Sequence, residues 1–256
     1  MLFVIDVGNT NVVLGFFDGA ELKASYRMAT DKNRSSDEIG MFFLHIFSDS
    51  GILRNEIEDV IISSVVPPIM HSLENAVKRY IGKRAHIITA ETPLGINIRI
   101  DNPKELGADR IVNAFAACEL YGAPAVIIDF GTATTFCAVD AARNYLGGVI
   151  YPGLKISLEA LVEKTAKLPR VEIVRPDEVI GKNTVNCMQS GLVYGYAGMV
   201  DAVSRRIKKQ LGAPDAQVIA TGGLSKLISG ESEEIGVVDR NLTLNGLRLI
   251  YDMLYR

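Results

Sequence analysis

The chain opens on Met1-Leu-Phe-Val-Ile-Asp6-Val7-Gly8-Asn9-Thr10, and a second stretch, Ala125-Val-Ile-Ile-Asp129-Phe130-Gly131-Thr132-Ala-Thr-Thr135, repeats its design. Each is an apolar strand ending in an Asp, followed by a Gly and a hydroxyl-rich turn. The carboxylate can hold a cation or its bound water, and the Gly lets the backbone approach a phosphate, to whose oxygens hydroxyl and N–H groups donate. A single Asp-x-Gly is an ordinary turn. Two copies in equivalent strand contexts predict a clamp for a nucleotide triphosphate and its metal.

Composition limits the class of protein. A chain of 256 residues suits two compact lobes or one large domain. Its 48% apolar and 22% charged residues are typical of a soluble globular protein. The net charge of −3 argues against a broad surface for nucleic acid or for an anionic membrane, although a local basic pocket is still allowed.

Nothing in the sequence indicates export or membrane insertion. Asp6 follows only five residues with no basic leader, so we expect no signal peptide, and no apolar run approaches the roughly 20 residues of a transmembrane helix. Cys118, Cys137 and Cys187 form no CxxC pair. They are expected to be buried small hydrophobes in a reducing, cytoplasmic compartment.

Hydrophobic periodicity predicts the same order of elements twice. The first set is three antiparallel strands, a helix, a strand, a helix and a strand, at residues 2–7, 11–17, 21–29, 35–47, 59–66, 69–81 and 85–89. After a connector at 90–106, the second set comprises a helix, three strands, two helices, a strand, a short helix, a strand and a closing helix, at residues 108–120, 125–130, 134–140, 144–151, 155–164, 184–211, 217–220, 222–229, 236–238 and 242–255. The predicted fold class is therefore α/β, with duplicated lobes at 1–105 and 106–256 and a central cleft.

The long helix at 184–211 contains Gly191, Gly195 and Gly198. Each Gly costs roughly 1 kcal/mol relative to Ala in a helix interior, which suggests close approach of another backbone. That backbone belongs either to the same lobe or to a second subunit, and the sequence favours neither.

Several known motifs are missing. Gly181-Lys182-Asn183-Thr184 lacks the upstream Gly of a phosphate-binding P-loop, and no GxGxxG stands between a strand and a helix. Gly107-Ala108-Asp109-Arg110 opens a helix, and one explanation of Asp109 is that an acidic residue in the first turn complements the helix dipole. Alternatively, Asp109 accepts the proton of a substrate hydroxyl while Arg110 binds an anionic group.

Thr221-Gly222-Gly223 would let an adenine ring lie against bare backbone, although Gly is common in such turns.

Taken together, these motifs resemble the type III pantothenate kinase family. The resemblance rests on Asp6-Val-Gly-Asn-Thr, Asp101-Asn-Pro-Lys-Glu-Leu-Gly-Ala-Asp-Arg, Asp129-Phe-Gly-Thr-Ala-Thr-Thr, Gly148-Val-Ile-Tyr-Pro-Gly and Gly181-Lys-Asn-Thr, and it covers nearly the whole chain. It implies the duplicated ribonuclease-H-like fold of the actin, Hsp70 and acetate kinase type. It also implies ATP-dependent phosphorylation of pantothenate to 4'-phosphopantothenate, the first step of coenzyme A biosynthesis.

The resemblance also implies roles for individual residues. Asp109 would be the catalytic base, and pantothenate would contact Gly107, Ala108, Asp109 and Arg110, with Thr184 reaching it from the partner subunit of a homodimer. Asp129 would bind a monovalent cation, K⁺ or NH4⁺, and Asp6 would lie near Mg²⁺ carried with ATP. The residues expected around the ATP phosphates are Asp6, Val7, Gly8, Asn9, Thr10, Asn11, Val12, Val13 and Thr132.

One position departs from the family pattern. Many members have a Tyr immediately before the Asp-Asn-Pro string, whereas this chain has Ile100, which keeps an apolar wall but lacks the hydroxyl.

Other functions are compatible with the same motifs. A kinase or phosphohydrolase of this fold acting on another small acceptor would keep both phosphate turns. So would a non-catalytic relative used in partner binding or gene regulation. For the catalytic reading, an Asp with an ordinary pKa of about 3.9 would be ionised at neutral pH without any tuning.

Overall fold

Two β-sheets with the same strand order form the framework of the protein. The computed structural model describes all 256 residues. The strands are β1 Leu2–Val7, β2 Asn11–Asp18, β3 Glu21–Ala29, β4 Asp59–Ser64, β5 Ala85–Ile88, β6 Asn97–Ile98, β7 Ala125–Phe130, β8 Ala133–Val139, β9 Asn144–Pro152, β10 Gln217–Gly222 and β11 Val237–Val238. The helices are α1 Ser36–Ser50, α2 Pro67–Ala76, α3 Ala108–Tyr121, α4 Leu154–Glu163, α5 Thr184–Leu211, α6 Ser225–Ser229 and α7 Leu242–Tyr255.

The strand order shows the duplication. The first sheet runs β3-β2-β1-β4-β5, and the second runs β9-β8-β7-β10-β11, with β6 added beside β9. In each sheet the first three strands are antiparallel, and the remaining two run parallel to the first. The predicted duplicated α/β fold is therefore confirmed.

The chain divides into two compact units, but each unit is assembled from separate segments. Unit 1 comprises Met1–Leu94, Asn102–Ala116 and Leu242–Arg256, and unit 2 comprises Gly95–Asp101 and Ala117–Asn241. The predicted lobes, 1–105 and 106–256, assigned helix α7 to the second sheet. The helix instead packs on β1, β2 and β4 of the first, because its apolar stripe is buried there.

The core of unit 1 lies between its sheet and helices α1 and α2. Phe3 stacks on Phe16 with ring centroids 4.5 Å apart, and Phe43 of α1 meets Phe3 edge-on. Ile5 and Val7 belong to the same buried cluster. Because successive side chains alternate between the faces of a strand, Val4 and Asp6 point to the opposite face, which α7 covers.

Unit 2 repeats this arrangement. Val126, Ile128 and Phe130 of β7 lie in a cluster with residues of α4, α5 and α6. Ile127 and Asp129 therefore point to the opposite face. In both units the carboxylate at the strand end therefore lies on the face opposite the main apolar core. A shift of the strand by one residue would turn it toward that core.

Most predicted elements are confirmed, and the differences are local. Ser35 caps α1 through a capping box with Glu38. The connector 90–106 includes the unpredicted strand β6, which pairs with β9. Helix α6 begins at Ser225, later than expected, because Thr221 and Gly222 continue strand β10. None of the helices combines the length and the apolar character needed to cross a bilayer.

The close packing of α7 on α3 predicts a cost for one added methyl group. A Cβ on Gly246 would lie 2.8 Å from Cγ1 and 2.9 Å from the carbonyl oxygen of Val112. We expect Gly246→Ala to lower the free energy of unfolding by about 1–3 kcal/mol in urea titrations, because the helices must separate.

Gly230→Ala is the matched control. Gly230 has φ −66° and its nearest Cβ neighbour would be 3.6 Å away, so its stability should stay within about 0.5 kcal/mol of wild type. Equal unfolding midpoints for both variants would contradict the inferred close contact.

Candidate active site

The first Asp-x-Gly turn joins β1 to β2 in unit 1. The N–H of Gly8 donates to the carbonyl of Asn11 at 3.0 Å and closes the turn. At the end of β3, the Thr30 hydroxyl donates to the Gly8 carbonyl at 2.7 Å, and the Thr30 N–H donates to Thr10. The turn is therefore held by a residue that the sequence analysis did not identify, since only the pairing of β2 with β3 brings Thr30 to it.

The residues predicted around the ATP phosphates differ in exposure. Asn9 and Thr10 are exposed, and Asp6, Gly8 and Asn11 are half-buried. Val7 and Val12 are core residues with 0% and 1% exposure, so only their backbone could face a ligand. The polar part of the turn is thus confined to its tip and to the Asp6 carboxylate.

The second turn, between β7 and β8 in unit 2, is one residue shorter. Phe130 pairs with Thr134, whereas Val7 pairs with Val12, and the Gly131 N–H closes the turn on the carbonyl of Ala133 at 3.1 Å. The two turns are therefore related in design but are not identical in shape.

Glycines surround this second turn. Gly222 has φ +90°, and a Cβ there would lie 2.7 Å from Oδ1 of Asp129. A Cβ on Gly153 would collide with the carbonyl oxygen of Thr132. Because both positions exclude larger residues, Asp129 and Thr132 are bordered by bare backbone. The structure brings the Thr221-Gly222 turn, a weak signal in the sequence, directly beside Asp129.

The Gly107–Arg110 string begins helix α3 in unit 1. The Gly107 carbonyl accepts the Arg110 N–H at 3.1 Å, and the Asp109 carboxylate accepts the same N–H at 2.7 Å. A Cβ on Gly107 would lie 3.2 Å from Cγ1 of Val65, and the Val65 N–H donates to the carbonyl of Val7 at 3.0 Å. The start of α3 therefore lies at the carboxyl ends of β1 and β4, the same edge of the sheet as the first turn.

Burial raises the pKa of the Asp109 carboxyl above its ordinary value, although its hydrogen bond from the Arg110 N–H and the nearby Arg110 charge act in the opposite direction. The pKa of this carboxyl is therefore shifted although the proposed chemistry does not require a shift. The side chain is densely surrounded by protein but retains partial access to solvent. A carboxylate with a raised pKa is a stronger base than one with the ordinary value.

Thr184 is the first residue of α5 in unit 2. The side chain of Asn183 caps the helix by accepting the Asn186 N–H at 2.9 Å, and Gly181 crosses so close to Cys187 that a Cβ would clash. The helix cap at Asn183 and the close approach at Gly181 thus account for the residue types in most of the Gly-Lys-Asn-Thr string. Thr184 itself lines a groove of about 510 Å³ beside α4 and α5, together with Tyr151, Leu161 and Met188.

The glycines of α5 have no neighbour in this chain. Gly191, Gly195 and Gly198 are exposed, and a Cβ on any of them would meet nothing within 4 Å. Packing inside the lobe, one of the two explanations open from the sequence, is therefore wrong. Cys187 is also exposed on this helix rather than buried as expected, and its thiol donates to the Gly181 carbonyl.

No cluster of three or more His, Cys, Asp or Glu side chains could hold a metal ion by itself. The residues still fit the two implied ions. Mg²⁺ in nucleotide sites commonly takes only one or two carboxylates besides phosphates and water, which matches a lone Asp6. Asp129, bordered by backbone carbonyls of its own turn, offers the oxygen donors that suit a hard monovalent cation.

Solved structures of other proteins share this fold. A conserved Campylobacter jejuni protein provisionally assigned to the Baf family of transcriptional activators is 17% identical over 98% of both chains, with a TM-score of 0.60. An inorganic polyphosphate/ATP-glucomannokinase from an Arthrobacter strain is 12% identical over 99% of both chains, with a TM-score of 0.53. Likeness at this identity shows the fold, which is that of the sugar kinases and of actin and Hsp70.

The family follows from the sequence profile of the type III pantothenate kinases, which matches residues 2–206. The chain belongs to this family, and it is accordingly a kinase that transfers phosphoryl groups.

The raised pKa of Asp109 makes a prediction about stability. Since ionisation is less favourable in the folded protein, wild type loses stability as the pH rises through the folded pKa, whereas Asp109→Asn carries no such cost. We expect the variant to equal wild type in acid and to become relatively more stable toward neutral pH, measured by urea unfolding at several pH values.

The control is Asp101→Asn, which removes an exposed carboxyl and should leave the pH profile unchanged. A variant Asp109→Asn that becomes relatively less stable as the pH rises would contradict the raised pKa.

Proposed function

We propose that this protein transfers the γ-phosphoryl group of ATP to the primary hydroxyl of pantothenate. The observation that carries the proposal is the shared edge of unit 1, where α3 begins against Val65 and Val65 bonds to Val7, the residue after Asp6. A candidate phosphate-binding turn and a candidate base therefore lie at one edge of the same sheet. The family match over residues 2–206 supports the same acceptor.

Phosphoryl transfer has a loose transition state, so alignment and charge neutralisation matter more than a strong base. In this mechanism the backbone N–H groups and hydroxyls of Gly8–Asn11 hold the phosphates. Asp109 orients the pantothenate hydroxyl and takes its proton late in the reaction, and its raised pKa favours that transfer. Arg110 binds the pantothenate carboxylate with the paired hydrogen bonds that a guanidinium can make.

The two carboxylates at the strand ends have different roles in this proposal. Asp6 is the residue that would hold Mg²⁺ through its water shell, and Asp129 is the residue that would hold K⁺ or NH4⁺. Such ions neutralise phosphate charge when bound. At each of these two sites the chain supplies one carboxylate beside a turn that contains a glycine, Gly8 or Gly131.

The active form proposed here is a cytoplasmic homodimer. Its support is the exposed glycine face of α5, which costs helix stability and touches nothing in its own chain. In the same unit the apolar side chains of Ile150, Val179 and Ile180 are 67%, 63% and 80% exposed. Thr184 at the start of this helix would then contribute to the substrate site of the partner.

A kinase with another acceptor is the second candidate, because the Arthrobacter protein of this fold is named as a glucomannokinase. Gene regulation is a third, given the name of the Campylobacter protein. The net charge of −3 gives no support for a DNA-binding surface. A coupled ADP-release assay with pantothenate, pantetheine and sugars, with and without K⁺, separates these candidates. Turnover with sugars and none with pantothenate would refute the proposed acceptor.

Asp109→Asn should fold and bind ATP but lose about 10²–10⁴-fold in kcat, because the amide cannot accept the hydroxyl proton. Steady-state kinetics with saturating pantothenate measure the loss, and the exposed-site variant Asp101→Asn should keep wild-type kcat. Wild-type turnover by Asp109→Asn would remove Asp109 from the mechanism.

A site shared between subunits predicts complementation. Asp109→Asn and Thr184→Val, each of low activity alone, should regain activity when mixed and allowed to exchange subunits, up to about a quarter of the sites in a statistical mixture of two-fold dimers.

The matched control mixes Asp109→Asn with Asp6→Asn. Both residues lie in unit 1 of the same chain, so no mixed dimer restores a site. Failure of the first mixture to exceed its components would show that Thr184 does not complete the partner's site.

A further inference from the structure

A buried hydroxyl beside Asp6 has no explanation in the folding of the chain. Ser63 of β4 is 0% exposed, and its Oγ has no hydrogen-bond partner. A buried hydroxyl without a hydrogen-bond partner destabilises the folded protein. An Ala at this position would avoid the cost, so the hydroxyl points to a use in another state of the protein.

The pairing of β1 with β4 determines what Ser63 can reach. In this parallel pair Asp6 is the register partner of Ser63, and paired residues on strands about 4.8 Å apart project to the same face. Ile5 and Ile62, the residues before them, both lie in the apolar cluster on the other face. The Ser63 hydroxyl and the Asp6 carboxylate are therefore neighbours at the edge of the sheet where the phosphate turn begins.

The duplicated unit contains the same pairing. In the second sheet, Thr221 of β10 is the register partner of Asp129 of β7, and Thr221 is 2% exposed. Each strand-end carboxylate thus has a buried hydroxyl residue beside it on the neighbouring parallel strand. Two independent occurrences indicate that the hydroxyl is part of the repeated site, together with the Asp and the Gly.

Other buried hydroxyls show that burial alone does not define this arrangement. Thr134 and Ser204 also lack hydrogen-bond partners. Thr134 pairs with Phe130, whose side chain lies in the apolar cluster, and Ser204 lies within α5. Neither adjoins a strand-end carboxylate through the sheet register, so they serve as internal comparisons for Ser63.

We infer that Ser63 is a positioning residue for Asp6, and that its hydroxyl donates a hydrogen bond to the Asp6 carboxylate in the nucleotide-bound state. An ionised carboxylate can accept about four hydrogen bonds, so one oxygen can accept the hydrogen bond from the Ser63 hydroxyl while the other is left for the hydrated magnesium that Asp6 would hold. Residues that orient a metal-binding carboxylate in this way typically change metal affinity about 10–100-fold when removed. The inference rests on the proposed ATP-dependent function.

The experiment compares Ser63→Ala with Ser204→Ala, which removes an equally buried, partnerless hydroxyl from α5. Ser63→Ala should be at least as stable as wild type without ligand, by urea unfolding. It should bind Mg-ADP on the order of tenfold more weakly by calorimetry and need more Mg²⁺ for half-maximal turnover. The KM for pantothenate should stay unchanged. Ser204→Ala should match wild type in all ligand measurements.

Rescue by a conservative change distinguishes positioning from packing. Ser63→Thr copies the residue that the second unit uses at the equivalent place, and it should restore Mg-ADP affinity toward wild type. Ser63→Cys serves if the added methyl group prevents folding, and as a weak donor it should fall between Ser and Ala.

Unchanged Mg-ADP affinity and Mg²⁺ dependence in Ser63→Ala would overturn the inference. So would a loss of ligand-free stability large enough to account for the weaker binding, since the hydroxyl would then be structural. Absence of Mg-nucleotide binding by wild type is a different result, because it refutes the proposed function itself.

Discussion

The alternation of side chains along β1 and β7 is the constraint on which both the fold and the site depend. Phe3, Ile5 and Val7 must face the helices to form the core of unit 1, and the same alternation directs Asp6 to the other face. A slip of one residue would bury the carboxylate among apolar side chains at a cost of several kcal/mol. Hydrophobic burial therefore selects the register, and the register places the charge.

Both units direct a carboxylate to the face opposite the core, but the turns that follow these carboxylates differ. Both close their turn through a glycine N–H, yet the second turn is one residue shorter and is surrounded by glycines rather than buttressed by a threonine. Backbone that approaches Asp129 this closely leaves no room for a side chain at Gly222. The two turns therefore share a design while differing in length and in the residues that surround them.

Burial of Asp109, the candidate base, disfavours its charged form, which raises the pKa of the carboxyl and lowers the stability of the folded protein. Asp109 sits in the first turn of α3, where the helix dipole and the Arg110 N–H stabilise its charge, while burial opposes that charge and prevails. The partnerless hydroxyl of Ser63 is a second local cost at the same edge of the sheet. Functional sites commonly contain such unfavourable local choices, which the surrounding core can tolerate.

The sequence by itself determined the elements, most of their bounds within one or two residues, the duplication and the family, because hydrophobic period and turn chemistry are local properties. Only the tertiary structure shows that α7 packs on the first sheet and that Thr30 supports the first turn. The same is true of two neighbouring pairs, Ser63 beside Asp6 and Gly222 beside Asp129. The tertiary structure also decided the raised pKa of Asp109 and the exposure of the α5 glycines. Each of these depends on which distant segments meet when the sheets form, and no local pattern contains that information.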